Sequence, residues 1–575
     1  MPASNREVAA RLHEIADLLE LQDVDYKPRA YRRAARNVAA HDEDVETLAE
    51  RGALQDVEGV GDSIEATIRE YLETGSIDEI EELRTEAPLD WEGLTSVEGV
   101  GPERAKQLYR ELGVETVEDL ERAAERGEIR DLDGFGERAE ANLREHARRA
   151  RRDVGGRVPL GVARPLATSV REHLAGVEPV DSVTVVGSFR RRRPTVGDLD
   201  VLATADADDA PTVMDALCGR SDVTEVVARG ETKTTVRVDP PESPAMQVDL
   251  RVVAPNQAGA ARVYFTGSTD HNIGLRSRAD DRGWTLNEYG LFRDDERLAG
   301  ETEAGIYDAL DLDWVPPELR EATGELDAAA AGDLPDLVTV DAVDHDPRVH
   351  VDADDAEALH TAADRASARD LDRLTVVDER ADLVVDGTLD RDRFEARREA
   401  VARVDGDESV PVDLRYSLLA TVGRDGELDV PPAWADDCDA LAVTLPDDPG
   451  TADLDADVDP TEWVVRAFES APVDRWVRPT RRTLPDPDPL DVDLDRAVAA
   501  AAETDVAVEV SAHPRHLELD WEAVKAHRDA VDYVVASGAR DPSDVGRLEL
   551  GVAQARRGWC TVANVRNARV EDGAK

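Results

Sequence analysis

Lysine is almost missing from this chain of 575 residues: of 69 basic residues, five are lysine (Lys27, Lys106, Lys233, Lys525, Lys575) and the remaining 64 are arginine. Cysteine is scarce too. Cys218, Cys438 and Cys560 lie far apart, which excludes a disulfide scaffold and fits a reducing cytoplasm. No apolar run approaches the roughly 18–20 residues that span a bilayer, so no membrane segment is expected. The opening Met1-Pro2-Ala3-Ser4-Asn5-Arg6 leads into no signal-peptide core, and the expected location is cytoplasmic.

Carboxylates, by contrast, abound: 127 acids against 69 bases give a net charge of −58. With 4% aromatics that charge is one signature of disorder, but apolar residues recur at regular periods through most of the chain. Excess acid with lysine nearly removed is instead the composition of a folded protein from a salt-rich cytoplasm. A net of −58 also speaks against a nucleic-acid ligand until its distribution is read. Residues 1–150 carry 20 bases and 38 acids, residues 151–300 carry 20 and 23, and residues 301–575 carry 29 and 66. The nets are therefore −18, −3 and −37, and the near-neutral middle is where a polyanionic ligand is expected.

The first 150 residues read as short helices. Arg6–Leu21 has helical apolar spacing, and Tyr26-Lys27-Pro28-Arg29 opens a second, basic helix. An apolar-x-x-Gly-apolar-Gly pattern followed by a helix recurs from Leu54, from Leu94 and, more weakly, from Ile129. Its glycine pairs are Gly59/Gly61, Gly99/Gly101 and Gly134/Gly136. Each copy resembles the helix-hairpin-helix module, whose tight turn offers backbone N–H groups to a DNA phosphate. The alternative is a protein-docking helical array.

From Arg157 the pattern turns to α/β, with strands expected at Asp181–Val186, Leu199–Ala203 and Met246–Val253. Beyond Gly324, strands near Leu337–Val340, Leu374–Val377, Ala440–Leu445, Val506–Val510 and Tyr533–Ala536 alternate with helices, the rhythm of a β-α barrel or sheet. Pro446–Pro460 and Leu484–Leu494 read as loops. The chemistry concentrates in GSFRRRRPTVGDLDVL, Gly187 to Leu202. Strand alternation puts Asp198 and Asp200 on one face, and Asp249 lies on a separate apolar strand. Three carboxylates beside a Gly-Ser turn suit hard divalent cations and nucleotidyl transfer with two metal ions.

Together with QVDLRVV and YFTGSTDHNIGLRSRADDRGWTLNEYGLF (Tyr264 to Phe292), these blocks resemble the family X DNA polymerases, in the form with a C-terminal polymerase-and-histidinol-phosphatase (PHP) domain. The resemblance covers nearly the whole chain. It implies a metal triad of Asp198, Asp200 and Asp249, with Asp249 activating the primer 3′-OH, and Mg²⁺ (or Mn²⁺) as the two ions. It implies triphosphate contacts from Arg157, Ser188, Arg191 and Gly197. Tyr264, Phe265 and Gly267 would lie under the incoming sugar, Asn272 would touch the base, and Arg276 and Lys233 would contact DNA. Read from residues alone, Tyr264–Gly267 is equally an apolar strand ending in a turn, and Arg190–Arg193 a solvated face. The expected substrates are dNTPs and gapped or primed DNA. The implied architecture is an all-α helix-hairpin-helix region (1–85 and 86–155), a nucleotidyltransferase palm (156–255), a small α/β nucleotide-selecting subdomain (256–323) and a PHP-like α/β barrel (324–575). A template-independent nucleotidyltransferase and a non-catalytic DNA-binding scaffold are the competing readings.

Two departures from the family stand out. Where some members carry a Schiff-base lysine for deoxyribose-phosphate removal, this chain has Thr67, and Lys27 is the one lysine in its first 100 residues. The PHP metal ligands are also largely replaced. An expected HxH reads Arg348-Val349-His350, an Asp-His reads Asp378-Glu379, a Val-His reads Val443-Thr444, a His-Pro reads Arg478-Pro479, and the closing Asp-x-His reads Gly538-Ala539-Arg540. A guanidinium cannot ligate a metal, so a folded but degenerate barrel without nuclease activity is expected, its arginines pairing with nearby carboxylates.

Overall fold

The computed structural model describes the chain except residues 1–4, 22–26, 40, 42–44, 58, 75–76, 78–82, 84–88, 90, 98–99, 115, 133–134, 137–139, 141–142, 145–156, 241–243, 295, 447–458, 486–488 and 570–575. Gly99, Gly134 and most of the loop Pro446–Pro460 thus lie outside the described residues. The chain divides into two compact units, Met1–Gly156 and Arg157–Lys575.

The first unit is helical. Its elements include α1 (Asn5–Leu21), α2 (Lys27–Ala39), α3 (Asp62–Thr74), α4 (Pro102–Leu112) and α5 (Val117–Arg126). One apolar core, from Val8 through Leu12, Ile68 and Leu108 to Leu143, takes in residues of all three repeats. The repeat turns are written in glycine and proline. Gly59 sits at φ +94°, where a Cβ would stand 3.1 Å from Arg33 Nε. Gly101 caps α4 with Pro102 at its first position, and Gly113 closes it at φ +67°. Lys106 is buried and pairs with Asp17 at 3.1 Å, so one of the few lysines is structural.

In the second unit a short pair, β1 (Val158–Pro159) with β3 (Thr195–Val196), precedes a five-stranded sheet ordered β2-β4-β7-β6-β5. Its strands are β2 (Ser182–Val185), β4 (Asp198–Thr204), β5 (Val223–Arg229), β6 (Lys233–Val238) and β7 (Met246–Val253). Only the β4–β7 pair is parallel. Helix α6 (Leu160–Ala175) packs its Leu166, Val170 and Leu174 against the buried residues of β4 and β7. A four-residue helix, α7 (Gly187–Arg190), follows β2.

Next come α8 (Ala258–Thr266), α9 (Thr269–Asp280), the antiparallel β8 (Thr285–Asn287), β9 (Gly290–Arg293) and β10 (Glu296–Ala299), α10 (Glu303–Ala309) and α11 (Glu325–Ala331). Tyr264–Thr266 is therefore the end of a helix and not a strand, because the small residues Ala258–Ala261 let α8 pack all round. Next to it, His271, Tyr307 and Glu325 form a buried polar trio: His271 Nδ1 lies 2.6 Å from Glu325 and Nε2 3.0 Å from the Tyr307 hydroxyl.

The C-terminal part is a seven-stranded parallel sheet in the order β11 (His345–Val349), β12 (Arg373–Glu379), β15 (Asp413–Thr421), β16 (Ala440–Thr444), β17 (Arg475–Trp476), β18 (Ala507–Ser511), β19 (Tyr533–Ala536). Between β12 and β15 a small hairpin, β13 (Val384–Val385) with β14 (Thr388–Leu389), leads into α12 (Arg391–Asp405). A parallel bridge between Val349 and Ala539 nearly closes the sheet into a barrel, consistent with a PHP domain. The last long helix is α13 (Glu549–Arg557). Leu337–Val340 is not a strand. Pro335 removes a donor just ahead of it, and Leu337 makes only an isolated bridge to Thr561. No described helix is long and apolar enough to cross a membrane.

Candidate active site

Parallel pairing of β4 with β7 sets Asp200 directly beside Asp249 and Asp198 beside Gln247. Alternation then brings Asp198, Asp200 and Asp249 onto one face, with ligand oxygens within 4.8 Å of one another. Among the described residues this is the one such group of three or more metal-ligand side chains. Burial and then the charge of Asp249 raise the pKa of Asp198. Burial, with Asp198 and Asp249 adding, pushes Asp200 up to about 7. A site that resists its own ionisation, built from hard oxygen donors, fits a divalent cation.

The turn before β4 is shaped around the triad. Gly187 has φ +62°, and a Cβ there would lie 2.0 Å from Asp200 Oδ2, so the carboxylate occupies the space of any side chain. Backbone bonds from Arg193 N to Ser188 O (3.1 Å) and from Arg192 N to Phe189 O (3.1 Å) close the turn. Arg157 enters from β1, donating to Thr195 Oγ1 (2.8 Å) and Thr195 O (2.6 Å), and its Nη1 stands 4.0 Å from a Cβ built on Gly197. Burial, with Arg193 close by, lowers its pKa.

Arg190 and Arg191 are not a solvated face. Arg190 donates to both Glu303 oxygens (2.9 and 2.6 Å) and to Thr266 Oγ1 (2.9 Å). Arg191, expected at the triphosphate, donates to Glu321 (3.1 Å) and to Thr266 O (2.8 Å). Glu303 also receives Arg320 (2.7 Å), and despite its burial these guanidinia hold it below the usual carboxylate range. The pairs thus tie the end of α8 to the turn that follows Gly187.

Arg251 shares the triad face of β7 and lies 4.5 Å from the Phe265 ring centroid, which brings Tyr264 and Phe265 to that face. Gly267 is required by crowding, since a Cβ would meet Asn272 Oδ1 at 2.5 Å. Asn272 Nδ2 in turn donates to Tyr264 O at 2.7 Å. Lys233, opposite Arg251 in the register, is exposed on the same face, and Arg276 is exposed on α9. In the first unit Gly61 accepts Glu65 N (2.8 Å) and Gly101 accepts Ala105 N (3.0 Å), each opening a helix. Thr67 is buried and donates to Ser63 O at 3.1 Å.

At the C-terminal ends of the barrel strands the arginines are paired. Arg348 makes a bidentate pair with fully buried Glu509 (2.9 and 2.7 Å), and its Nη1 meets His350 Nε2 at 3.2 Å. Gly538 is the companion change, because a Cβ there would lie 2.5 Å from Arg348 Nη2. Arg478 donates to Glu518 (2.8 Å), and Arg540 to Glu379 (2.9 Å). Thr444 accepts from Arg481 at 3.1 Å. Burial and Arg348 drive His350 down to about 2, and burial and Arg478 do the same to His516. Asp378 departs from the grouping expected of it. Its carboxylate faces the helical layer, taking Arg397 of α12 at 2.7 and 2.8 Å and the Tyr416 hydroxyl at 2.6 Å, because Asp378 and Glu379 alternate across β12.

Glu303, Glu321, Glu325, Glu509, Gln554 and Arg557 are not marked by any local motif. Each meets its partner across a long sequence separation, so nothing in the sequence around it points to the site.

The triad, which could hold a divalent metal, and its turn fit the class of nucleotidyltransferases. Comparison with known proteins narrows that class. Residues 3–77 match the helix-hairpin-helix domain, 91–149 the SAM-like helix-hairpin-helix tandem, 157–233 the DNA polymerase beta palm and 261–321 the DNA polymerase beta thumb. The chain is 28% identical to the DNA polymerase/3′-5′ exonuclease PolX of Bacillus subtilis, over 98% of this chain and 97% of that one. It is 23% identical to DNA polymerase lambda of Rattus norvegicus over 50% of this chain and 49% of the relative, and 22% identical to that of Arabidopsis thaliana over 56% and 62%. These likenesses make the chain a homologue of the family X DNA polymerases, and its activity that of a DNA-directed DNA polymerase.

Proposed function

We propose that this polymerase fills short gaps in DNA under repair, using dNTPs and two Mg²⁺ ions (Mn²⁺ is the alternative), in a salt-rich cytoplasm. The observation that carries the reading is the convergence of Asp198, Asp200 and Asp249 beside a turn whose Gly187 leaves room only for Asp200. When bound there, divalent ions supply charge neutralisation for the triphosphate and acidify the primer hydroxyl. Asp249 faces the primer 3′-OH and receives its proton. Arg157, Ser188, Arg191 and Gly197 border the triphosphate, with Arg191 exchanging Glu321 for phosphate. Tyr264, Phe265 and Gly267 lie under the sugar of the incoming nucleotide and select deoxyribose by backbone crowding, and Asn272 touches the base. Arg276 and Lys233 meet the DNA, as do Gly59, Gly61, Gly99 and Gly101.

The barrel, in this reading, is a metal-free scaffold without exonuclease activity. The pairs Arg348–Glu509, Arg478–Glu518 and Arg540–Glu379 support it, since each spends a carboxylate that a metal would need. Deoxyribose-phosphate removal is likewise absent, because Thr67 has no amine to offer. Primer extension at a one-nucleotide gap tests the function. Templated addition of the complementary dNTP is expected, and untemplated addition of any dNTP contradicts it.

A further inference from the structure

The turn that carries Ser188 and Arg191 is held from behind by the barrel. Arg557, the last residue of α13, donates its Nη1 to the main-chain carbonyl of Arg191 at 2.7 Å and lies 3.3 Å from Glu321. One turn earlier in α13, Gln554 Nε2 donates to the carbonyl of Arg192 at 3.2 Å. Both side chains are fully buried, and Arg557 lies 4.7 Å from the ring centroid of Trp521. Burial lowers Arg557 only to about 10, so it stays protonated at neutral pH.

The held carbonyls belong to a turn that its own backbone bonds close (Arg192 N to Phe189 O and Arg193 N to Ser188 O, 3.1 Å each) but that carries strain at one residue. Arg192 adopts φ +58°, a left-handed conformation that costs a residue with a Cβ about 1 kcal/mol or more unless its surroundings fix it. Glu321 joins the parts, accepting Arg191 (3.1 Å) and Arg193 (3.4 Å) on one side and standing beside Arg557 on the other.

We infer that Arg557 and Gln554 are positioning residues for nucleotide binding: the barrel fixes the carbonyls of Arg191 and Arg192 and thereby the phosphate turn. The barrel that no longer pairs its residues for metals is then a working part of the polymerase site. This rests on the polymerase reading above.

The test uses the full chain with Mg²⁺ and gapped DNA, measuring equilibrium binding of the complementary dNTP on a primer lacking its 3′-OH, and KM and kcat on a normal primer. Arg557→Ala removes a charge-assisted bond worth about 1.5–3 kcal/mol, so the Kd and KM for dNTP rise about ten- to a hundred-fold while DNA affinity holds. Arg557→Lys, which keeps the charge and one donor, recovers part of the loss. Gln554→Met keeps the volume, deletes a buried unpaired Oε1 and removes the donor to Arg192, so it weakens dNTP binding without lowering thermal stability. Arg556→Ala is the control: on the same helix, it loses bonds to Glu318 (3.1 Å) and to the carbonyl of Val338 (3.0 Å) but no hydrogen bond to the turn, and leaves the dNTP Kd unchanged. Equal effects of Arg556→Ala and Arg557→Ala, or unchanged dNTP binding in Gln554→Met, overturn the inference. A wild type that binds dNTP but adds none overturns the polymerase reading alone, and one that binds no dNTP overturns both.

Discussion

Asp200→Asn should stabilise the metal-free protein while abolishing its chemistry. Folding pushes the Asp200 carboxyl from 3.8 up to about 7, chiefly by burial and then by the charges of Asp198 and Asp249. A tenfold change in proton affinity is worth about 1.4 kcal/mol, so ionising Asp200 in the folded state costs about 4 kcal/mol. A raised acid favours the protonated fold: its stabilising contribution is complete below about pH 4 and is lost as pH rises through 7. Asparagine mimics the protonated carboxyl at every pH. The gap between variant and wild type, read from urea midpoints in EDTA at constant ionic strength, should therefore be near zero at pH 4. It should grow to about 2–4 kcal/mol at pH 8, allowing for local relaxation. Adding Mg²⁺ at pH 8 should close the gap by stabilising the wild type more than the variant. A gap that stays flat from pH 4 to pH 8, or Mg²⁺ that stabilises both proteins equally, would refute the electrostatic account of the triad.

Further outcomes follow from other pairs. Arg348→Ala leaves buried Glu509 to the more distant Arg475 (4.0 Å) and should cost about 3–5 kcal/mol by denaturant melts, whereas Arg348→Met with Glu509→Leu should recover part of it, since Arg475 then loses its carboxylate. Glu325→Ala removes the partner of buried His271 and of two backbone N–H groups, those of Ala322 and Thr323. It should cost about 3 kcal/mol, seen as a lower melting temperature and slower extension. Borohydride trapping with 5′-deoxyribose-phosphate DNA should give no protein adduct, and abundant adduct would show that Lys27 replaces the missing amine. DNA affinity should first rise with salt from dilute buffer, because the net charge of −58 must be screened before close arginine contacts act; a fall from the lowest salt upward would contradict it.

The sequence made the local parts of this protein readable and left the long-range ones hidden. Strand Met246–Val253 and the strands of Asp198 and Leu374 declare themselves by period and apolar content, and the Asp-x-Asp pair follows from alternation alone. Strand β17 has only two residues, and β11 carries Pro347, so neither gave a periodic signal. Asp378 looked like a companion of Glu379, yet alternation across β12 sends it to Arg397 on the helical layer. The run Arg190–Arg193 showed a cationic turn but not its partners, since Glu303, Glu321 and Arg557 lie more than 100 residues away. Charge pairing over such distances is decided by the fold.

The central claim is that Asp198, Asp200 and Asp249 carry templated nucleotide addition while the barrel cuts nothing. Primer extension on one-nucleotide-gapped DNA with Mg²⁺ in high salt, comparing wild type with Asp249→Ala and reading shortened products on the same gel, tests it most directly. The account predicts one added complementary nucleotide by the wild type, none by Asp249→Ala, and no shortened primer in either lane. Full incorporation by Asp249→Ala, or Mg²⁺-dependent 3′→5′ shortening that persists in that variant, would contradict it.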